Sequence, residues 1–291
     1  MRAFSYAAPG SVQEATRLLA TADGGAKVLA GGTDILVQLR EGLRTADLVV
    51  DVKKIPELME LAYDAPSGLH LGASVPCYQL YEREELCRAY SALTDAGRIV
   101  GGWQIQSRAS VGGNLCNSSP AADTVPALIA LRAVCRIARP DGTREVPVEE
   151  FCVAPGRNVL EKGEILVSLE LPPPQPNSGS AYQRFIPRNE MDIAVVGVAS
   201  WVKLNAAGDR IESARIAVGA VAPTARFAQE ASELLAGKPA DEATFEQAGD
   251  LARKVASPIS DMRGTAEFRT HLVGVLVKRT LTHAVERARQ A

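Results

Sequence analysis

The chain has 291 residues, of which 46% are hydrophobic and 23% charged. These proportions belong to a soluble globular protein and exclude a disordered chain, a collagen-like chain and a coiled-coil rod. The formal charge is −2, from 32 basic and 34 acidic residues, so no net basic field exists to hold nucleic acid.

No apolar run reaches the length of a membrane-spanning helix. The N-terminal segment is broken by Pro9 and Gly10 and lacks a signal-peptide core. A cytoplasmic protein is expected. The five cysteines, Cys77, Cys87, Cys116, Cys135 and Cys152, are odd in number and contain no Cys-x-x-Cys pair. Neither a disulfide framework nor a zinc or iron–sulfur site within this chain is expected. His70, His271 and His283 are the only histidines. They are scattered, too few to build a Ser-His-Asp machine. Such a chain either only binds a ligand or borrows its chemistry from a cofactor.

Ser11-Val12-Gln13-Glu14 reads as a capping box that opens a helix carrying Val12, Ala15, Leu18 and Leu19. Asp23-Gly24-Gly25 ends it. A short strand from Lys27 to Ala30 runs into Gly31-Gly32, and a second helix begins at Asp34 with Ile35, Leu36 and Leu39 on one side. Leu48 to Val52 is a strand, which completes a small β-α-β unit. Leu58 to Tyr63 and Leu69 to Ala73 read as strands around Pro66-Ser67-Gly68. Cys77 to Arg98 is helical in composition, and a glycine-rich region follows from Gly101 to Pro120. Ala121 to Ala133 reads as a buried helix. Asp141-Gly142 marks a hairpin between Val134–Arg139 and Thr143–Val148. Ile165 to Leu171 is a strand.

Four prolines stand among the five residues 172–176, where neither helix nor sheet continues. This is the expected domain boundary. Beyond it, Ile193–Leu204 and Ile211–Val221 form a hairpin around Ala206-Ala207-Gly208-Asp209. Helices over Ala225–Leu235, Glu242–Val255 and Glu267–Arg289 close an α+β domain.

Two glycine segments carry the functional signal. Leu29-Ala30-Gly31-Gly32-Thr33-Asp34-Ile35-Leu36 joins a strand to a helix. Without Cβ atoms its backbone approaches a ligand closely, and its N–H groups with the Thr33 hydroxyl suit phosphate oxygens. The alternative is a plain tight turn with Asp34 as helix cap. Ser110-Val111-Gly112-Gly113-Asn114 is the second. From Ser110 to Leu131 only Asp123 is charged across 22 residues, a composition that suits a buried backbone-built site, the alternative being a mobile surface loop. Gly-x-Gly-x-x-Gly and Gly-Lys-Ser/Thr are both missing, which disfavours a Rossmann fold and a P-loop. Two Gly-Gly loops cradling one pyrophosphate would suit a dinucleotide such as FAD.

Together these loops resemble the FAD-binding medium subunit of molybdenum hydroxylases, the family of the flavin subunits of carbon monoxide dehydrogenase and bacterial xanthine dehydrogenases. The resemblance continues through Ser119-Pro120-Ala121-Ala122-Asp123, Glu164-Ile165-Leu166, Tyr182-Gln183-Arg184 and Asp192-Ile193-Ala194, and so covers nearly the whole chain. It implies an α+β fold: a two-lobed FAD-binding domain of the vanillyl-alcohol oxidase/PCMH type over residues 1–175, with lobes of about 1–57 and 58–175, and a smaller C-terminal α+β domain over 181–288.

It also implies that the segments from Leu29 to Leu36 and from Ser110 to Asn114 hold FAD, and that Gly101, Asp123, Leu166 and Arg184 belong to the same site. Asp123 as a helix cap and Arg184 as an ordinary surface cation are the alternatives. With no histidine near either glycine loop, non-covalent FAD is expected. The four-cysteine insertion of the 4-hydroxybenzoyl-CoA reductase flavin subunit is missing, which puts that activity in doubt. The resemblance further implies a heterotrimeric oxidoreductase. A large partner would carry the molybdenum cofactor, a small one two [2Fe–2S] clusters, and this subunit would pass electrons to NAD, oxygen or a quinone. No catalytic side chain and no metal ligand are expected here. A free-standing flavin reductase or oxidase and a non-redox nucleotide-binding scaffold are the rival readings.

Overall fold

A computed structural model describes residues 2–22 and 25–291. The expected helix stop at Asp23-Gly24 therefore lies outside the described residues. The first lobe is a β-α-β unit. Strand Ala26–Leu29, helix Ile35–Arg40 and strand Leu48–Asp51 follow in order, and the two strands pair in parallel. A third strand, Ser5–Ala7, adds in parallel on the other side of Leu48–Asp51. Its three residues are too short to show alternation in the sequence. Helix Val12–Thr21 packs on this sheet, its first turn closed by the Ser11 hydroxyl, which accepts from the Glu14 N–H at 3.2 Å. The Glu14 carboxylate reaches back to the N–H of Gly10 at 3.1 Å rather than to that of the cap residue itself.

The second lobe holds an antiparallel five-stranded sheet, in the order Leu61–Asp64, Gly68–Gly72, Ile165–Leu171, Val134–Arg139, Gly142–Pro147. The strand expected from Leu58 to Tyr63 is instead a helical turn, Pro56–Met59, followed by the strand. Proline at the first helical position presets φ for such a turn, and Leu58 is buried beneath it. The helical stretch from Cys77 to Arg98 is three short helices, Cys77–Tyr81, Glu84–Ala89 and Ser91–Gly97. The buried helix from Ala121 to Ala133 narrows to Thr124–Ala130, ended by Arg132 in the left-handed region at φ 58°.

The C-terminal domain is a four-stranded antiparallel sheet, Ser178–Phe185, Val196–Leu204, Ile211–Gly219 and Arg226–Phe227. Helix Ala266–Ala288 packs along its first two strands, and helix Glu242–Ala252 packs on that helix. One apolar core runs from the second lobe into this domain, taking in Tyr182, Ala199 and Ala217. Between the two lobes a smaller core joins Ala15, Val50, Ile55 and Leu58 to Ala138 and Ile165.

Candidate functional site

Between the lobes lies a cavity of about 520 Å³, within the usual ligand-site range of roughly 300–1,000 Å³. The first glycine segment enters its wall from the C-terminal end of strand Ala26–Leu29. Gly31 lies so close to the second lobe that a Cβ there would stand 2.3 Å from the Arg108 carbonyl oxygen. Gly32 turns the chain with φ +81°, and the Gly32 carbonyl accepts the first turn of helix Ile35–Arg40 through the Leu36 N–H at 3.1 Å. From across the seam, the Arg108 Nε donates to the Gly31 carbonyl at 3.1 Å.

The second glycine segment is not the loop its composition suggests. It is the start of a helix, Val111–Asn117, capped by the Ser110 hydroxyl, which accepts from the Gly113 N–H at 3.1 Å. Small residues carry no apolar periodicity, so the helix leaves no pattern to read. Gly112 lets this helix sit on the chain below, since a Cβ there would come within 2.5 Å of the Ala73 carbonyl oxygen.

Ala30, Gly31, Gly32, Thr33, Asp34, Ile35, Ser110, Gly112, Gly113, Asn114 and Leu166 all line the cavity. Leu29 and Val111 are instead buried in the cores, and Leu36 is partly exposed. Gly101 stands beside Val100, which does line the cavity. Asp34 does not cap its helix, since its side chain makes no cap hydrogen bond, and burial raises its pKa.

Asp123 and Arg184 stand outside the cavity wall, in the seam between the second lobe and the C-terminal domain. The Arg184 Nη1 donates to one Asp123 oxygen at 2.7 Å and the Tyr182 hydroxyl to the other at 2.9 Å. Both charged side chains are nearly sealed, at 6% and 11% exposure. Arg184 is thus no surface cation, and the Asp123 side chain makes no helix-cap bond. Desolvation pushes the Asp123 carboxyl up to about 6 despite both donors. This seam still reaches the cavity. The Asn114 Oδ1 accepts from the Thr124 hydroxyl at 2.7 Å, and Thr124 follows Asp123 in the chain.

Lys27, Arg44, Ser74, Asn117 and the stretch from Leu160 to Gly163, which no motif singles out, also line the cavity, as do Glu164 and Ile165 of the Glu164-Ile165-Leu166 segment. They arrive from separate strands and loops, and only tertiary pairing assembles them. The Gln38 amide donates to the Asn117 side-chain oxygen at 3.0 Å across the seam. Glu164 is bound by Arg144 through two bonds of 2.7 Å, which hold its carboxyl below the ordinary range. Lys27, Arg44 and Lys162 remain in the wall as cations, beside the carboxylates of Asp34 and Glu161. A wall that combines glycine turns, hydroxyls and cations with the apolar side chains of Val52, Leu58, Val100, Ile165 and Leu166 fits a ligand with phosphates and a flat apolar ring.

None of the three histidines lines the cavity. Cys116 does, and burial pushes its thiol up to about 12, which leaves it a poor nucleophile. Among the described residues no cluster of His, Cys, Asp and Glu is placed to hold a metal, and no helix is long and apolar enough to cross a membrane.

A two-lobed fold with this cavity suits a dinucleotide. Comparison with known proteins agrees. Residues 2–174 match the family described as the FAD binding domain in molybdopterin dehydrogenase, and residues 180–284 match the CO dehydrogenase flavoprotein C-terminal domain. The xanthine dehydrogenase FAD-binding subunit of Escherichia coli O157:H7 is 33% identical, over 98% of this chain and 97% of its own length. The carbon monoxide dehydrogenase medium chain of Hydrogenophaga pseudoflava is 30% identical, over 97% of this chain and 96% of its own. A carbon monoxide dehydrogenase structure from Hydrogenophaga pseudoflava superposes with a TM-score of 0.93 at 30% identity, covering 98% of both chains. Quinoline 2-oxidoreductase of Pseudomonas putida 86 gives 0.90 at 31% identity, over 99% of this chain and 98% of its own. The chain belongs to the family of FAD-binding medium subunits of molybdenum hydroxylases, and FAD is its cofactor.

Proposed function

We propose that this chain is the electron-exit subunit of a molybdenum hydroxylase. It receives electrons from [2Fe–2S] clusters in a small partner, which drains a molybdenum-cofactor subunit, and delivers them to an external acceptor such as NAD or a quinone. Bound FAD supplies the exchange between one-electron and two-electron carriers. The residues that would hold it are Ala30 to Ile35, Ser110, Gly112 to Asn114 and Leu166. The chain's own residues bind and orient the cofactor and keep water from one side of it. No acid, base or nucleophile is needed from a side chain, in keeping with a wall that contains no histidine.

The observation that carries this reading is the cavity walled by both glycine segments in a chain of this family. To test it, the subunit is co-purified with its neighbours, FAD is stripped, and the substrate's electrons are followed by absorbance. The stripped complex is expected to reduce its iron–sulfur clusters but not the acceptor, and added FAD to restore delivery. FAD is also expected to leave the acid-denatured chain freely, as a non-covalent cofactor. Full turnover of the isolated subunit with a pyridine nucleotide would instead mark a free-standing flavin enzyme. A chain that refuses FAD would mark a scaffold.

A further inference from the structure

Where the two lobes meet, residues 73–74 form part of the cavity floor. The Ala73 N–H donates to the Val167 carbonyl at 2.8 Å, and helix Val111–Asn117 rests on Ala73 through Gly112. Ser74 comes next and lines the cavity at 1% exposure. Its backbone is fully engaged: the N–H donates to the Leu58 carbonyl at 2.8 Å, and its own carbonyl accepts from the Lys53 Nζ at 2.9 Å.

Its side chain is different. Ser74 has the one fully buried hydroxyl left without a hydrogen-bond partner among the described residues. Other sealed hydroxyls are used: Ser110 caps a helix, Thr124 binds Asn114, Ser168 binds Glu170 and Ser200 pairs with Thr280. A buried hydroxyl with no partner is destabilising, so its natural complement is an acceptor supplied by the cavity's ligand.

We infer that Ser74 is a cofactor-binding residue whose hydroxyl donates to an oxygen of the FAD pyrophosphate. The inference rests on the FAD reading above. The pyrophosphate is favoured over the flavin ring because Ser74 follows Ala73, on which Gly112 rests, and lines the same cavity as Gly112 and Gly113, while Lys53 brings a cation to the Ser74 carbonyl. Desolvation and Arg108 lower the Lys53 pKa, and its bond to the Ser74 carbonyl holds this segment in place.

The test is Ser74→Ala in the full chain, stripped of FAD. Two quantities are read: thermal midpoint without ligand, and affinity for FAD and for ADP by fluorescence or calorimetric titration. Removing a hydroxyl that is unpaired until ligand binds moves them in opposite senses. The ligand-free midpoint is expected to hold or rise. The dissociation constants for FAD and ADP are expected to increase about tenfold or more, as for a lost hydrogen bond to a charged group. Ser74→Cys, close in size and a weaker donor, should fall between. A lower midpoint with unchanged FAD affinity would make Ser74 a structural residue satisfied by water and overturn the inference. Weakened FAD with unchanged ADP would overturn the pyrophosphate assignment. Failure of the unaltered chain to bind FAD would be a different result, against the cofactor reading itself.

Discussion

The second lobe meets its two neighbours in opposite ways. Towards the first lobe the seam is thinly tied, a small apolar core beside a largely polar crossing. Single hydrogen bonds cross it, from Gln38 to Asn117, Arg108 to Gly31, Lys53 to Ser74 and Arg44 to Gly156, and a 520 Å³ cavity occupies much of it. Towards the C-terminal domain the seam is filled. Its apolar core is continuous, and two carboxylates grip one strand: Asp123 takes the Tyr182 hydroxyl and Arg184, and Asp95 takes the Tyr182 N–H at 3.2 Å and Arg287 at 2.6 Å. One seam keeps polar groups free for a ligand, whereas in the other Asp123 is paired with Arg184 and Asp95 with Arg287. Burial alone therefore does not mark a site. The charges of Asp123 and Arg184 are more deeply buried than the cations around the cavity, yet they already satisfy each other.

The sharpest way to break this comparison is Arg184→Met. It leaves Asp123 buried without its cation, and a cost of about 3–5 kcal/mol in urea unfolding is expected. The double variant with Asp123→Asn should recover a large part of that loss. A fall in FAD affinity outweighing the fall in stability would erase the distinction between the seams. Gly31→Ala addresses the other seam. Its methyl meets the Arg108 carbonyl and must push the lobes apart, an overpacking cost of about 1–3 kcal/mol. FAD retention after gel filtration should drop more than the midpoint does.

The smallest effect is a slope. The Asp123 pKa is about 6 in the folded chain, above its ordinary 3.8. Between those values the folded state binds more protons than the unfolded one, so this group's contribution to stability declines as pH rises from about 4 to about 6 and is flat above. Midpoints measured across that range should show Asp123→Asn removing this decline. An unchanged slope would move the titration elsewhere.

Much of this organisation is legible in the residues. Gly31-Gly32 between a strand and a helix, and the prolines between 172 and 176, are local signals with local causes. Elements fixed by packing are not. The strand Ser5–Ala7 exists because Leu48–Asp51 offers an edge, and helix Val111–Asn117 hides among small residues. Within the site, backbone-built parts were readable because glycine announces them. Arg44 and Ser74 are not, since nothing in their own neighbourhoods refers to the cavity. The Asp123–Arg184 pair was read as two separate residues, because 61 positions of chain separate them.

The unequal seams also set an order of events. The second lobe and C-terminal domain share a continuous core and can complete their folding as one body before any ligand arrives. The first lobe, held by a small core and single bonds, is the part that opens at least cost. Cofactor loading is then expected as a late step of maturation, a latch closing on a finished frame. Escape of the cofactor is then expected to follow opening of that latch, so FAD should be released below the temperature at which the whole fold melts.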